Sequence, residues 1–304
     1  MPEKKGHFHM SENYYVNSSS QKAIGRVVIS SAIEIARIHF PNPQIIRVLD
    51  IACGPGNLTI EFLHSLKSSF PNAKIDLMGF DYSEMNVNLL VKNSGGTIKG
   101  IVSSFYCLPI QTKDIDIIIS NEGFQWQPHY AMSKIMFSYL GEPEKREYEL
   151  FALQNLETAF RNIYGSLKKG GMAVIQFGHH GQIKKIWDLV YDIFNEDPFQ
   201  EYMNKVNFPV YHPTKKDILI LLTRVGFLEK NINIDAFTQD ITEETPLAIT
   251  NFYRAFTQSG LSQFFNPDML GNFYERMENK LNEMDIVAFR KDLLHRTLIK
   301  VIKE

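Results

Sequence analysis

The sequence is poor in cysteine and has no strong excess of charge of either sign. Its two cysteines, Cys53 and Cys107, provide neither a disulfide framework nor the paired spacing of a metal site. The formal net charge of −2 at pH 7 gives no electrostatic reason to expect binding to nucleic acid or to an anionic membrane. We therefore expect neither kind of partner.

Long apolar runs and metal-ligand patterns are also missing. No segment approaches the ~18 consecutive apolar residues of a membrane span, and residues 1–6 are too polar for a signal segment. The close histidine pairs, His7 with His9 and His179 with His180, have no ligand spacing with cysteines or carboxylates. These absences predict a cytoplasmic enzyme that uses no metal.

Residues 47–57, with the sequence RVLDIACGPGN, have the pattern of a buried strand that ends in a glycine turn and opens a helix. Gly54 and Gly56 lack a Cβ atom, so a ligand can approach the backbone of the turn closely. The helix behind the turn presents unpaired N–H groups and a partial positive charge at its first residues. Such a turn is typical of a cofactor site.

A second predicted strand, residues 74–80, leads directly to Asp81. An acidic residue at this place commonly accepts hydrogen bonds from ribose hydroxyls, although Asp81 could instead cap the helix that follows Ser83. The glycine turn and the acidic strand end together predict a nucleoside-bearing cofactor. Thr59 stands where the dinucleotide pattern needs a third small residue, and the turn has no phosphate-binding lysine, so neither of those patterns is complete.

Strand and helix patterns alternate along much of the chain, which predicts an α/β fold with a doubly wound, mostly parallel sheet. The predicted helices include residues 21–40, in which Ile24, Val28, Ile35 and Ile38 should face the core, and residues 149–167, which should end in a solvated Lys168-Lys169 pair. The remaining predicted elements are a helix at 83–93 and strands at 47–51, 74–80, 98–103, 115–120, 172–177, 228–234 and 296–303.

We divide the chain into three parts. Residues 1–21 are a predicted lid, and residues 22–182 are a predicted cofactor-binding core with a charged insertion at 129–148. Residues 183–304 combine the last core strands with amphipathic helices that are rich in Phe, Tyr and Met. We expect these helices to form a substrate-binding cap over the carboxyl ends of the strands, where ligands of open α/β sheets bind. The aromatic content of 12 % fits either an apolar ligand pocket or a large core.

The run D-x-A-C-G-P-G-N at the glycine turn resembles motif I of the S-adenosylmethionine (SAM)-dependent methyltransferases. Further blocks resemble the SABATH family of salicylate, benzoate and jasmonate carboxyl methyltransferases, and they keep the family's order from residue 14 to about residue 285. These blocks are YYVNSSSQ at 14–21, SSFY at 103–106, SNEGFQW at 120–126, the segment 148–171, NFPVYHP at 207–213 and YRAF at 253–256. A more distant resemblance is to the juvenile hormone acid and trans-aconitate methyltransferases, which also methylate carboxylates.

The resemblance implies a class I SAM-dependent methyltransferase with a Rossmann-like core and an α-helical cap. It implies that SAM gives a methyl group to the carboxylate of a small, apolar or aromatic acid, leaving S-adenosylhomocysteine (SAH) and a methyl ester. Gln21 and Trp126 would then hold the carboxylate, with Gln125 beside them. The residues implied around the cofactor are Tyr14, Ser18, Asp50, Gly54, Gly56, Asn57, Asp81, Tyr82, Ser104, Phe105 and Asn121.

The chemistry of these residue types suits that reaction. Methyl transfer needs a nucleophile held in line, and a carboxylate with a pKa near about 4 is already ionised at pH 7, so it needs no general base. Gln21 and Trp126 offer uncharged N–H donors that would orient the carboxylate without protonating it. Asp50 and Asn57 would meet the methionine ammonium directly or through water. Phe105 would pack on the adenine, unless it belongs to the core.

The sequence also departs from the SABATH pattern. Its glycine turn is one residue shorter, Gln125 stands in place of the family's His, and Glu122 stands in place of its Tyr. These departures leave the acceptor open. The alternatives are an N- or O-methyltransferase of another small molecule and a non-catalytic SAM-fold partner subunit. A homodimer is compatible with the sequence.

Overall fold

The computed structural model describes residues 19–106, 113–126, 142–182, 184–203, 205–206, 210–239, 245–262, 264–290 and 294–304. The strands in these residues are β1 (Ile45–Ile51), β2 (Lys74–Asp81), β3 (Lys99–Val102), β4 (Ile115–Asn121), β5 (Leu167–Gly178), β6 (Ile232–Gln239) and β7 (Leu294–Ile302). Together the described strands form a seven-stranded sheet with the order β3-β2-β1-β4-β5-β7-β6.

The sheet is mostly parallel, as predicted. The pairs β1–β2, β1–β4, β2–β3 and β4–β5 are parallel, whereas β7 runs antiparallel to both of its neighbours, β5 and β6. The strand order reverses between β1 and β4, and ligands of such sheets bind at the carboxyl ends of the strands near this reversal. The register sets Phe80 beside Ile51 and Gln176 beside Asn121, so these strand ends meet at one edge.

The helices cover both faces of the sheet. They are α1 (Ser19–His39), α2 (Asn57–Ser69), α3 (Glu84–Asn93), α4 (Glu142–Ser166), α5 (Lys184–Phe194), α6 (Lys215–Val225), α7 (Pro246–Leu261), α8 (Pro267–Glu283) and α9 (Ile286–Arg290). Apolar residues of α1, α2 and α3 pack on one face, and those of α4 and α6 pack on the other. Within the described ranges, no helix is both long and apolar enough to cross a membrane.

The central strands are nearly continuous apolar runs because helices bury both of their faces. In β4, the side chains of Ile117 and Ile119 face α1 and α2, while Ile118 faces the opposite helices. Ser83 caps α3 as predicted, since its hydroxyl accepts a hydrogen bond from the Asn86 N–H at 3.4 Å.

A second apolar core lies among α5, α7, α8 and α9, which we call the helical cluster. Phe194, Phe199, Phe265 and Phe273 pack on one another there, with ring centroids 5.4 to 6.5 Å apart. Trp126, which follows β4, packs against this cluster. Of the two explanations for the high aromatic content, a large core therefore accounts for these four rings.

Helix α4 begins at Glu142 rather than at residue 149, so the end of the predicted insertion 129–148 is helical. The rest of that insertion, up to residue 141, lies outside the described residues. Pro143 is the second residue of this helix. Proline is well suited to the first turn of a helix, where its missing N–H would have no partner.

The segment after α4 also differs from the prediction, because Lys168 and Lys169 belong to β5 and not to a solvated helix end. The Lys168 ammonium forms an ion pair with the buried Asp116 carboxylate. The carbonyls at the end of α4 are instead met by Lys303, whose Nζ lies 2.6 Å from the carbonyl oxygens of Tyr164 and Leu167. A cation does complement this helix end, but it comes from the end of the chain.

Two smaller corrections concern the start of β6 and the buried face of α1. Strand β6 begins at Ile232 and not at residue 228, because Glu229–Asn231 form one turn of 3-10 helix. In α1, Ile38 is 72 % exposed, whereas Ala32 and Ala36 are fully buried. The buried face of α1 also contains Ile24 and Val28, as predicted, and the small alanines extend this face where Ile38 turns to solvent.

We expect Asp116→Asn to lower the free energy of unfolding by about 1–3 kcal/mol, because it removes a buried charged acceptor. Asp116 accepts from the Arg47 N–H at 2.7 Å and pairs with Lys168. Its neighbour Asp114 makes only a half-exposed ion pair with Arg47 at 3.6 Å, so Asp114→Asn should cost below about 1 kcal/mol. Urea unfolding measures both, and equal losses would contradict the prediction.

Candidate active site

The glycine turn follows β1 and has backbone angles that glycine adopts readily. Gly54 has φ 54° and Gly56, the residue before α2, has φ 94°. A Cβ atom added at Gly54 would have no heavy atom of the described chain within 4 Å, whereas one at Gly56 would lie 2.5 Å from Leu90 Cδ1. Gly56 is therefore required by packing against α3, and Gly54 faces open space that a ligand can enter.

Asp81 holds this turn in place from the end of β2. Its Oδ2 accepts a hydrogen bond from the Gly54 N–H at 2.9 Å, and its Oδ1 accepts from the Ser83 N–H at 2.9 Å and from Asn86 Nδ2 at 3.2 Å. Burial raises the pKa of Asp81, and these donors act in the opposite direction. Asp81 thus supports the turn and the start of α3, and it lies where a ribose acceptor was predicted.

Asp50 is fully buried near the end of β1. Its Oδ2 accepts a hydrogen bond from Thr59 Oγ1 at 2.6 Å, and its Oδ1 has no hydrogen-bond partner in the described part of the chain. Burial raises the pKa of Asp50 to about 7, the Thr59 hydroxyl lowers it and the nearby Asp81 charge raises it. In the sequence, Thr59 is only the residue that breaks the dinucleotide pattern. In the structure, its hydroxyl is the donor that orients the Asp50 carboxyl group.

The predicted adenine contacts lie after β3. Ser104 Oγ accepts a hydrogen bond from the Tyr106 N–H at 3.3 Å, which closes a tight local turn. Phe105 is 7 % exposed and its ring stacks on Phe124, with centroids 5.0 Å apart and planes at 19°. One face of Phe105 is therefore occupied by the core, as the second of the two sequence interpretations allowed. Phe124 was not singled out from the sequence.

The other predicted cofactor residues sit near the same edge. Asn57 is the first residue of α2, Tyr82 directly follows Asp81, and Asn121 is the last residue of β4. Burial and then the Asp81 charge raise the pKa of Tyr82. Asn121 lies against α1, because a Cβ atom on Gly25 would be 3.7 Å from its Nδ2.

The predicted lid is not part of the described structure. Tyr14 and Ser18 lie outside the described residues, and Gln21 is placed in α1 without a described side chain. Gln21 precedes Gly25 by one helical turn. Gly25 lies against Asn121 at the end of β4, and the acceptor contact of Gln21 stays a prediction.

The turn after β4 carries the predicted acceptor residues. Glu122 has a positive φ of 58°, which is uncommon for a residue with a side chain. Gln125 Nε2 donates to Glu122 Oε2 at 2.8 Å, and Glu122 Oε1 forms an ion pair with the fully buried Arg296. Trp126 is partly buried at the end of the turn and its backbone pairs with Val210. Arg296 had no signal in the sequence, because it lies in a different strand far along the chain.

Two histidines, His179 and His212, lie near the Arg296–Glu122 ion pair. His179 Nδ1 lies 2.9 Å from Thr297 Oγ1, and burial lowers the pKa of His179. Burial, with the Arg296 charge next, lowers the pKa of His212 to about 3, so that ring is neutral at pH 7. Across the described residues, no group of three or more His, Cys, Asp or Glu side chains is arranged to bind a metal.

Residues 48–140 match a family model described as a methyltransferase domain. The matched segment starts in β1, extends past the turn that carries Trp126, and covers less than half of the chain. No curated protein matches the chain by sequence.

Solved structures share the fold at low sequence identity. A structure of loganic acid methyltransferase with SAH is 16 % identical, with a TM-score of 0.75 and 96 % of each chain covered. The cyclopropane synthase MmaA2 from Mycobacterium tuberculosis is 10 % identical, with a TM-score of 0.55 and coverage of 98 % of this chain and 96 % of that one. The YcgJ protein from Bacillus subtilis is 13 % identical, with a TM-score of 0.50 and coverage of 92 % and 99 %.

The chain therefore has the class I SAM-dependent methyltransferase fold, and SAM is the cofactor of this fold. The domain match and the shared fold together support a SAM-dependent methyltransferase. The residues at the carboxyl edge fit SAM: Gly54 leaves space for close approach, and the free Oδ1 of Asp50 can accept from a cationic group. Asp81 adds a second buried carboxylate on the next strand.

We expect Gly54→Ala to impair mainly SAM binding and Gly56→Ala to impair mainly stability. A Cβ at Gly54 enters the open space, so Gly54→Ala should weaken SAM binding at least about 10-fold while costing only about 1–2 kcal/mol of stability for its positive φ. A Cβ at Gly56 meets Leu90, so Gly56→Ala should cost about 2–4 kcal/mol of stability. Calorimetry and urea unfolding separate the two effects. Unchanged SAM affinity in Gly54→Ala would show that the cofactor does not approach this residue.

Proposed function

We propose that this chain is a SAM-dependent methyltransferase that acts on the carboxylate of a small, apolar or aromatic acid. The observation that carries the proposal is the turn after β4. Its one carboxylate, Glu122, is paired with Arg296, and the side chains of Gln125 and Trp126 are uncharged. The turn can thus contact an acid without supplying a general base, which an ionised acid does not require.

The name of the loganic acid methyltransferase structure adds support, since it names an acid as the acceptor and the structural alignment covers 96 % of each chain. The resemblance in blocks 14–21 and 120–126 points to the same class of acceptor. Because the identity is 16 %, we leave the acid unnamed and specify only its class.

On the cofactor side, we assign separate roles to the residues of the edge. SAM supplies an electrophilic methyl group when it is bound. Asp81 would accept from the ribose hydroxyls, and Asp50 and Asn57 would meet the methionine ammonium. The rest of the proposed cofactor set is Gly54, Gly56, Tyr82, Ser104, Phe105 and Asn121, with Tyr14 and Ser18 closing over it from the lid.

On the acceptor side, positioning supplies most of the catalysis. Gln21 and Trp126 would each donate an N–H to the carboxylate and direct one of its oxygens towards the methyl carbon. Neutral donors orient the oxygen without forming the tight ion pair that would reduce its nucleophilicity. The helical cluster would form the apolar cap around the rest of the acid, and residues 1–21 would exclude water as a lid.

We expect the affinity for SAM to rise about 10-fold between pH 6 and pH 8. The pKa of Asp50 is raised from 3.8 to about 7 in the ligand-free protein, so the carboxyl group is mostly protonated at pH 6 and mostly ionised at pH 8. The cationic ammonium of SAM favours the ionised form, and binding at pH 7 should therefore release about half a proton. Calorimetry in buffers of different ionisation enthalpy measures both quantities.

Two variants control this pH dependence. Asp50→Asn resembles the protonated carboxyl group in shape and should bind SAM weakly, with no change in affinity across this pH range. Thr59→Val removes the hydrogen bond that lowers the pKa of Asp50, so the rise in affinity should move to higher pH. A pH dependence that survives unchanged in Asp50→Asn would exclude Asp50 as its source.

The direct test is to incubate the protein with SAM and a panel of aromatic and isoprenoid acids, and to identify the product. We expect methyl esters, and Trp126→Phe should lower kcat/KM about 10- to 100-fold because one hydrogen bond to a charged group is lost. Tyr164→Phe is the matched control, since it also removes one polar group from an aromatic side chain, and Tyr164 packs on Phe227 at the opposite edge of the sheet. N-methylated products, or equal kinetics in the two variants, would support the alternative acceptor class.

A further inference from the structure

Arg296 is a fully buried cation that several side chains surround. It lies in β7, and its Nε donates to Gln239 Oε1 at 3.0 Å while its Nη1 pairs with Glu122. Gln182, in the amide orientation that satisfies its neighbours, accepts from Nη1 at 2.8 Å and donates to the carbonyl of His295. His212 is neutral at pH 7, so it adds no second positive charge beside Arg296. Gln239 and Gln182 therefore fix the guanidinium in addition to its ion pair with Glu122.

Glu122 connects the fixed guanidinium to the turn after β4. Its backbone has the strained φ of 58° and its N–H donates to the Gln176 carbonyl at 2.9 Å. Its two carboxylate oxygens divide their partners, because Oε1 meets Arg296 and Oε2 accepts from Gln125. The backbone strain is tolerated because the side chain is held at both oxygens.

Gln125 and Trp126 complete the connection. The Gln125 carbonyl accepts from the Tyr211 N–H at 2.8 Å, and the Trp126 N–H donates to the Gly123 carbonyl at 3.2 Å. Tyr106 Oη donates to the Trp126 carbonyl at 3.4 Å. Hydrogen bonds thus hold the backbone of the turn at several residues, and the Arg296–Glu122 pair connects the turn to β7.

The two departures from the SABATH pattern in this turn are one coupled feature. Glu122 and Gln125 replace the family's Tyr and His, and they are hydrogen-bonded to each other at 2.8 Å. Burial of Glu122 without a partner would be strongly unfavourable, because an isolated buried carboxylate loses its hydration. Arg296 is the third member that makes the other two compatible with a folded core.

We propose that Arg296 is a positioning residue that sets the place of Gln125 and Trp126 through Glu122. The inference rests on the proposed function only in assigning this turn to the acceptor. Arginine is needed for its planar fork, which reaches Glu122, Gln239 and Gln182 at once. Lysine keeps the charge but cannot hold all three partners in one plane. Arg296→Lys should therefore displace the turn without leaving Glu122 unpaired.

The test uses tryptophan fluorescence, because the chain has two tryptophans and Trp187→Phe leaves Trp126 as the single probe. In that background, Arg296→Lys should make Trp126 more accessible to acrylamide quenching. SAM affinity should stay within about threefold, since the carboxylates proposed to contact SAM, Asp50 and Asp81, lie on β1 and β2 and not on the displaced turn. The kcat/KM for the acid should fall about 10- to 100-fold, as expected for a displaced contact.

Asp116→Asn is the matched control. It breaks the ion pair of the buried Asp116 with Lys168 at the opposite end of β4, so it lowers stability without touching the turn. We expect it to leave Trp126 quenching unchanged. Arg296 would be a merely structural residue if Arg296→Lys and Asp116→Asn gave the same quenching and the same acceptor kinetics.

A milder variant covers the case in which Arg296→Lys does not fold. Gln239→Ala removes one hydrogen-bond acceptor of the guanidinium, at the partly buried end of β6, and leaves the Arg296–Glu122 ion pair in place. Quenching of Trp126 should again increase, by a smaller amount, and unchanged quenching would overturn the proposal. Neither quenching nor SAM affinity requires an acceptor, so a failed acid assay with increased quenching would reject the proposed function and leave the positioning role standing.

Discussion

Burial of three carboxylates at one sheet edge is the constraint on which the candidate site depends. Asp50, Asp81 and Glu122 lie at or just beyond the ends of β1, β2 and β4, and all three are buried. A buried carboxylate must be neutralised, hydrogen-bonded or protonated. The three are stabilised in different ways. Asp81 accepts hydrogen bonds from three N–H donors, and Glu122 forms an ion pair with Arg296. Asp50 accepts from one hydroxyl, and burial raises its pKa to about 7. Asp50 is thus the one whose charge is left for a ligand to stabilise.

The last strand has an influence on the site that its sequence does not suggest. Because β7 inserts antiparallel between β5 and β6, it carries Arg296 to the end of β4 and Lys303 to the end of α4. One strand therefore provides a cation at each end of the sheet. At the carboxyl edge the cation supports the proposed acceptor turn, and at the opposite edge it satisfies helix carbonyls.

The aromatic residues divide between two cores and connect them to the site. Phe105 and Phe124 stack beneath the cofactor edge, and the four phenylalanines of the helical cluster pack on one another. Trp126 touches the helical cluster while its backbone belongs to the turn after β4. A shift of the helical cluster would therefore move Trp126, the proposed acceptor contact.

Local pattern alone determined the alternation of strands and helices, the glycine turn before α2 and the Ser83 cap. These follow from backbone sterics and side-chain periodicity within a few residues, and the structure confirms them. Only the tertiary structure decided which groups neutralise the buried charges: Arg296 meets Glu122 across 174 positions, and Lys168 meets Asp116 instead of solvent. Thr59 is close to Asp50 in the sequence, but its hydroxyl reaches the Asp50 carboxyl group only because α2 packs back over β1. Such pairings depend on strand order and register, which place distant residues together and which no short stretch of sequence encodes.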